Sequence, residues 1–110
     1  MRALLVDVPD PGFAAELEEW GIDVLPAGGT ADLVFLGVHS LADLARIGEL
    51  KARLPKDGAL WVIRPKGPGT PVPERETMKA GLATGLVDVK VVSFSDTHSA
   101  LKYVHRLRDR

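Results

Sequence analysis

The 110 residues carry 14 Lys and Arg against 15 Asp and Glu, a formal net charge of -1 and a pI near 6.3. That balance leaves no electrostatic footprint for nucleic acid or an anionic membrane, since phosphate binding depends on clustered Lys and Arg, and neither is expected as a partner. With no cysteine, the sequence excludes disulfides, thiolate nucleophiles, zinc fingers and Cys-ligated iron–sulfur clusters.

A chain of this length makes one domain, residues 1–110, with room for a real core. Its opening, MRALLVDVPD, is far shorter in apolar residues than the roughly 20 a membrane span needs and lacks a signal peptide's cleavage pattern. A cytoplasmic protein is the expectation. Asn and Gln are absent while Arg, Pro and Ala are plentiful, a bias that predicts heat stability.

Residues 3–6 form a continuous apolar run, as a strand buried on both faces should. Phe13, Leu17 and Trp20 then recur at helical spacing, with Gly21 placed as a left-handed C-cap. Residues 22–25 read as a short second strand and residues 26–30 as a turn-rich break. The connection is shorter than the dozen or so residues a parallel crossover takes, so the second strand is an edge strand, antiparallel, or absent.

"ADLVFLGV", residues 31–38, is the strongest buried-strand signal. Ser40 follows as an N-cap, with Asp43 favouring the positive helix end. A helix over residues 41–54 is predicted to bury Leu41, Leu44, Ala45 and Gly48. "ALWVIRP" is the next buried strand, and residues 66–73 form a rigid loop rich in Gly and Pro. Residues 74–83 read as a third helix supported by Met78 and Leu82, closed by Gly85. "LVDVKVVSF", the turn "SDTH" and "SALKYVH" predict an antiparallel hairpin. Residues 106–110 read as a fraying tail.

Strands alternating with helices and ending in a hairpin predict an α/β fold of three layers, with a mostly parallel sheet of five to six strands. In such sheets ligands sit at the carboxyl ends of the strands, where strand order reverses. That rule selects Asp7, Gly12, His39, Ser40, Arg64, Lys66 and His98 as candidate ligand-edge residues.

Each also has a plainer reading. "VPDPGF" has one glycine and two prolines that lack N–H donors, so it is more a stiff turn than a phosphate cradle. Gly28 and Gly29 offer close approach or an ordinary turn. Arg64 and Lys66 could hold an anion or stand solvated. His39 could act as acid or base, or bond the adjacent helix start. Asp96 and His98 could pair, yet such residues are what a turn wants. Three scattered histidines make no metal site, and no serine has the setting of a hydrolase nucleophile. Lys90 and Lys102 are expected to run along the sheet and reach solvent at its edge.

"ADLVFLGV", "LPKDGALWVIRPKG" and "GLVDVKVVSFSDTHSALKYVHR" resemble the later half of a class I S-adenosylmethionine (SAM)-dependent methyltransferase, a family that closes its sheet with a similar hairpin. The chain over residues 1–106 also resembles a family of small uncharacterised bacterial proteins, a domain of unknown function whose endings read much like residues 85–104. The resemblance implies a Rossmann-like, truncated methyltransferase fold. The methyltransferase loop is glycine-rich after the first strand, where this chain reads Asp7-Val8-Pro9-Asp10-Pro11-Gly12. An acidic residue is expected after the second strand, where Leu25-Pro26-Ala27 stands. Both departures predict no cofactor in the usual mode. The expected function is a non-catalytic domain acting through protein contacts, as a small homo-oligomer or with a protein partner. The alternative is a binder of, or enzyme acting on, a nucleotide or SAM-like small ligand at the sheet's carboxyl edge.

Overall fold

The apolar runs pair into one sheet whose central strands, Leu33–Gly37 and Ala59–Pro65, are buried on both faces. The structure is a computed structural model that describes residues 1–25 and 31–109. Its strands are β1 (Arg2–Val6), β2 (Asp23–Leu25), β3 (Leu33–Gly37), β4 (Ala59–Pro65), β5 (Val87–Ser93) and β6 (His98–Val104). They lie in the order β2-β1-β3-β4-β6-β5. β1 pairs in parallel with β2 and β3, and β3 with β4, whereas β6 runs antiparallel between β4 and β5.

Alternating side chains divide two cores. Leu4, Val34, Leu36, Leu60, Val62 and Leu101 face one way, against the segment from Leu41 to Leu54 and helix α3 (Glu74–Ala83). Ala3, Phe35, Ile63 and Ala100 face the other way, against helix α1 (Phe13–Glu19). There the Phe13 ring meets Phe35 edge-on at 4.9 Å and Phe94 at 5.1 Å between centroids. On the first face Tyr103 is fully buried and its hydroxyl donates to the Thr77 carbonyl at 2.9 Å. Burial pushes that phenol well above its ordinary pKa.

The expected α/β architecture is present, with six strands and the hairpin in place. The second strand is an edge strand and parallel. Leu25 lies beside Leu4 and Leu33 beside Ala3, so the two strand ends stand only two strand spacings apart, about 10 Å. That distance needs no crossover helix. The residues expected to form the break, 26–30 with Gly28 and Gly29, lie outside the described residues.

Several helix faces differ from the periodicity. Trp20 is 82% exposed, because α1 ends at Glu19 and Trp20 is its C-cap, followed by Gly21 at φ +80°. Residues 41–54 begin as a 3-10 turn, Leu41–Ala45, before helix α2 (Arg46–Lys51). The tighter winding rotates the buried face onto Leu44, Ile47, Leu50 and Leu54, leaving Leu41, Ala45 and Gly48 exposed. In α3 the inward positions are Thr77 and Gly81, with Met78 half-buried and Leu82 exposed. The segment read as a tail is tied down: Arg106 Nε donates to the Gly85 carbonyl at 3.2 Å, and Leu107–Asp109 form a 3-10 turn.

Candidate functional site

The order reverses between β1 and β3, since β2 continues to one side of β1 and β3 and β4 to the other. The carboxyl ends of β1, β3 and β4 therefore share an edge with the β5–β6 turn. Lys66 N–H donates to the Thr97 carbonyl at 3.0 Å across it. Asp7, Gly12, His39, Ser40, Lys66 and His98 lie along this edge.

At the reversal the chain packs against itself. Asp7 adopts φ +53°, rare for a residue with a side chain. A Cβ on Gly37 would overlap the Asp7 carbonyl oxygen and stand 2.8 Å from its carbon, so only glycine lets the two strand ends approach this closely. His39 Nε2 lies 3.2 Å from that same oxygen, and Arg46 forms an ion pair with the Asp7 carboxylate. The Asp43 carboxylate accepts from the amides of His39 at 2.8 Å and Ser40 at 3.2 Å. The amide bond from His39 holds the Asp43 carboxyl below its ordinary pKa.

The turn into α1 is equally self-contained. Gly12 N–H donates to Asp10 Oδ1 at 2.9 Å, and Phe13 N–H to the Asp10 carbonyl at 3.2 Å. A helix start of this kind attracts anions through its free amides. Here the Asp10 carboxylate engages the amide of Gly12, the residue just before α1, and makes no side-chain cap on the helix itself.

Arg64 is not on the edge. Its guanidinium is buried and Nε donates to the Val72 carbonyl at 2.8 Å. Position 64 lies on the sheet face shared by Leu60 and Val62, so the side chain turns beneath the loop rather than out to solvent. Thr70 Oγ1 pins that loop further by donating to the Pro65 carbonyl at 2.6 Å. Lys66 Nζ donates to Ser93 Oγ at 2.9 Å. His98 Nδ1 pairs with Thr97 Oγ1 at 2.8 Å rather than with Asp96. Burial, and then the charges of His39 and Lys66, hold the His98 imidazole below its ordinary pKa. The edge thus gathers His39, Lys66 and His98 into one neighbourhood.

Sequence reasoning passed over Asp10, Gly37 and Arg46. Gly37 carried a signal, as a glycine inside a buried apolar strand marks close backbone approach. Asp10 carried one in its Asp-Pro-Gly turn. Arg46 carried none, because its partner lies 39 residues away.

No protein-family model matches the chain, and no curated protein matches it. Solved structures do. An O-methyltransferase family 2 protein from Planctomyces limnophilus in complex with apigenin aligns at TM-score 0.74 and 11% identity, over 96% of this chain and 51% of that one. A structure described as PigF with SAH aligns at 0.65 and 12%, over 96% and 56%. Human N-acetylserotonin methyltransferase in complex with SAM aligns at 0.59 and 13%, over 94% and 40%. The chain has the Rossmann-like fold of class I methyltransferases and spans about half the length of the first two of these.

Proposed function

We propose that this chain is a methyltransferase-like domain that does not bind the methyl-donor cofactor in the family's usual mode and acts through protein contacts. One observation carries the reading: the reversal point, where the fold places a ligand, is filled by the chain's own groups. The Asp7 carbonyl lies against Gly37 and His39 while its carboxylate is paired with Arg46. In the neighbouring turn the Gly12 amide is taken by the Asp10 carboxylate. A nucleotide or SAM-like ligand needs glycines that let backbone amides reach it. Gly12 is the sole glycine of this turn, its amide is engaged, and Pro9 and Pro11 have none to offer. The residues present do not fit that cofactor.

An amide NMR titration of the labelled chain with SAM, its demethylated product and common nucleotides tests the reading. No shifts are expected at Gly12, His39 or Gly67. Saturable shifts clustered there overturn it in favour of a small-ligand binder or enzyme, with Lys66 holding the ligand's anionic part and His39 as acid or base.

A further inference from the structure

Among the described residues, the sheet face covered by α1 is covered only in part. Among the described residues α1 is the one helix packed on it, whereas α2, α3 and the 3-10 turn before α2 share the opposite face. Two adjoining hollows flank α1. One, of about 240 Å³, lies between Phe13 and the β4–β6–β5 surface of Trp61, Ala100, Val92 and Phe94. The other, of about 280 Å³, lies between Leu17, Ile22 and the protruding Trp20. Phe13 and Glu16 line both, so they form a continuous apolar surface with an exposed indole at one end.

The charges on this surface are sorted by side. Asp10 and Glu16 stand on the α1 wall, and Glu18 and Glu19 extend the acidic helix, which has no basic residue in its last turn. On the strand wall Lys102 Nζ sits 5.7 Å from the Trp61 ring, Lys90 pairs across from Lys102, and Lys66 reaches Ser93. A two-fold axis through the surface sets the acidic wall of one copy on the basic wall of the other, twice over. A contact of that kind is self-complementary, as a closed two-fold assembly requires. The sheet edges suit a partner less well. β2 has three residues, and β5 carries an irregularity between Asp88 and Lys90 together with an exposed lysine, features that discourage strand addition.

We propose that the α1 face is a homodimer interface in which the α1 carboxylates, with Glu16 at their centre, meet Lys102 of a second copy, and Trp20 packs at its rim. The proposal rests on the protein-contact reading above and supplies the partner.

Sedimentation equilibrium from low to high micromolar concentration tests it. The wild-type chain is expected to dimerise, and Glu16→Lys and Lys102→Glu each to weaken dimerisation by about tenfold or more through like-charge contacts. Mixed in equal amounts, the two variants are expected to restore it, because both symmetry-related contacts are then opposite in sign. Trp20→Ala, at a position exposed enough to leave folding intact, is expected to weaken dimerisation as well. A chain monomeric throughout, single variants as tight as wild type, or a mixture no tighter than its components would each overturn the interface. Titrating SAM into the same samples separates the two readings. Cofactor binding would sink the non-cofactor reading whatever the oligomeric state, whereas a monomer without cofactor binding removes only the homodimer.

Discussion

The Tyr103 ring lies directly on the backbone of Gly81. A Cβ at that helix position would stand 2.5 Å from Cζ and 2.8 Å from Cδ1 of the ring. Helix α3 can therefore approach the Tyr103 ring this closely only because position 81 has no side chain.

Gly81→Ala is accordingly expected to destabilise the fold. Alanine's better helix propensity, worth about 1 kcal/mol, works against an overpacking cost of about 3 kcal/mol, leaving a net loss of about 2 kcal/mol. Tyr103→Phe keeps the ring and removes one hydrogen bond, from the hydroxyl to the Thr77 carbonyl, for a loss of about 1 kcal/mol. Urea unfolding midpoints check both, and a Gly81→Ala variant as stable as wild type would refute the contact.

Gly37→Ala should be worse. The group in the way is the Asp7 backbone, which cannot rotate aside as a ring can, and Asp7 is already held at positive φ. A loss of about 3 kcal/mol or more is expected. Chemical-shift changes should spread through Asp7, His39 and Arg46 as the strand ends part.

Arg64→Ala separates structure from ligand binding. The buried guanidinium supports the loop through the Val72 carbonyl, and a hydrogen bond from a charged donor is worth about 1.5–3 kcal/mol. The variant should lose about that much stability and expose the loop between β4 and α3 to proteolysis. Wild-type stability would return Arg64 to the list of solvent-facing cations.

His98 gives a pH dependence of known sign. In the unfolded chain its imidazole protonates near its ordinary value of about 6.5, while in the fold it protonates only at lower pH. Between the two values the unfolded state binds more protons, so stability falls as pH drops below about 6.5. Denaturation midpoints from pH about 7.5 to 5.5 should decline, less so in His98→Ala. Lys66→Met should raise the His98 midpoint in an NMR titration, because a like charge is removed.

Heat stability is the most direct consequence of composition. With no Asn or Gln, and with Thr70 and Arg64 pinning the proline-rich loop, we expect a melting midpoint above the roughly 45–65 °C of mesophile domains. A midpoint inside that range would show the amide-free composition to have another cause.

Element order and the convergence of strand ends were legible because both follow from local pattern. Apolar runs such as residues 31–38 read as buried strands, and parallel strands put their carboxyl ends on one edge whatever their order. Side-chain direction was less legible. One 3-10 turn ahead of α2 rotated its inward face from Leu41 and Ala45 onto Ile47 and Leu50, a change that apolar spacing alone does not disclose. Arg64 looked like an edge cation because it nears a strand end, yet strand parity aims it into the core. The crowding of Asp7 against Gly37 joins residues 30 apart in sequence and depends on β1 and β3 being neighbours. Periodicity specifies elements, whereas the site depends on which elements touch.

The insertion of β6 between β4 and β5 also orders events during synthesis. Until β6 emerges from the ribosome, β4 presents an open edge of unpaired amides beside buried-type side chains, and β5 has no strand to join at all. The chain without β6 therefore has four strands paired, β2-β1-β3-β4, with the outer edge of β4 and all of β5 still open. A chain whose β6 is slow to dock would dwell longer in that open state and give less soluble protein, while the finished molecule, once β6 has closed both gaps together, would carry no trace of it.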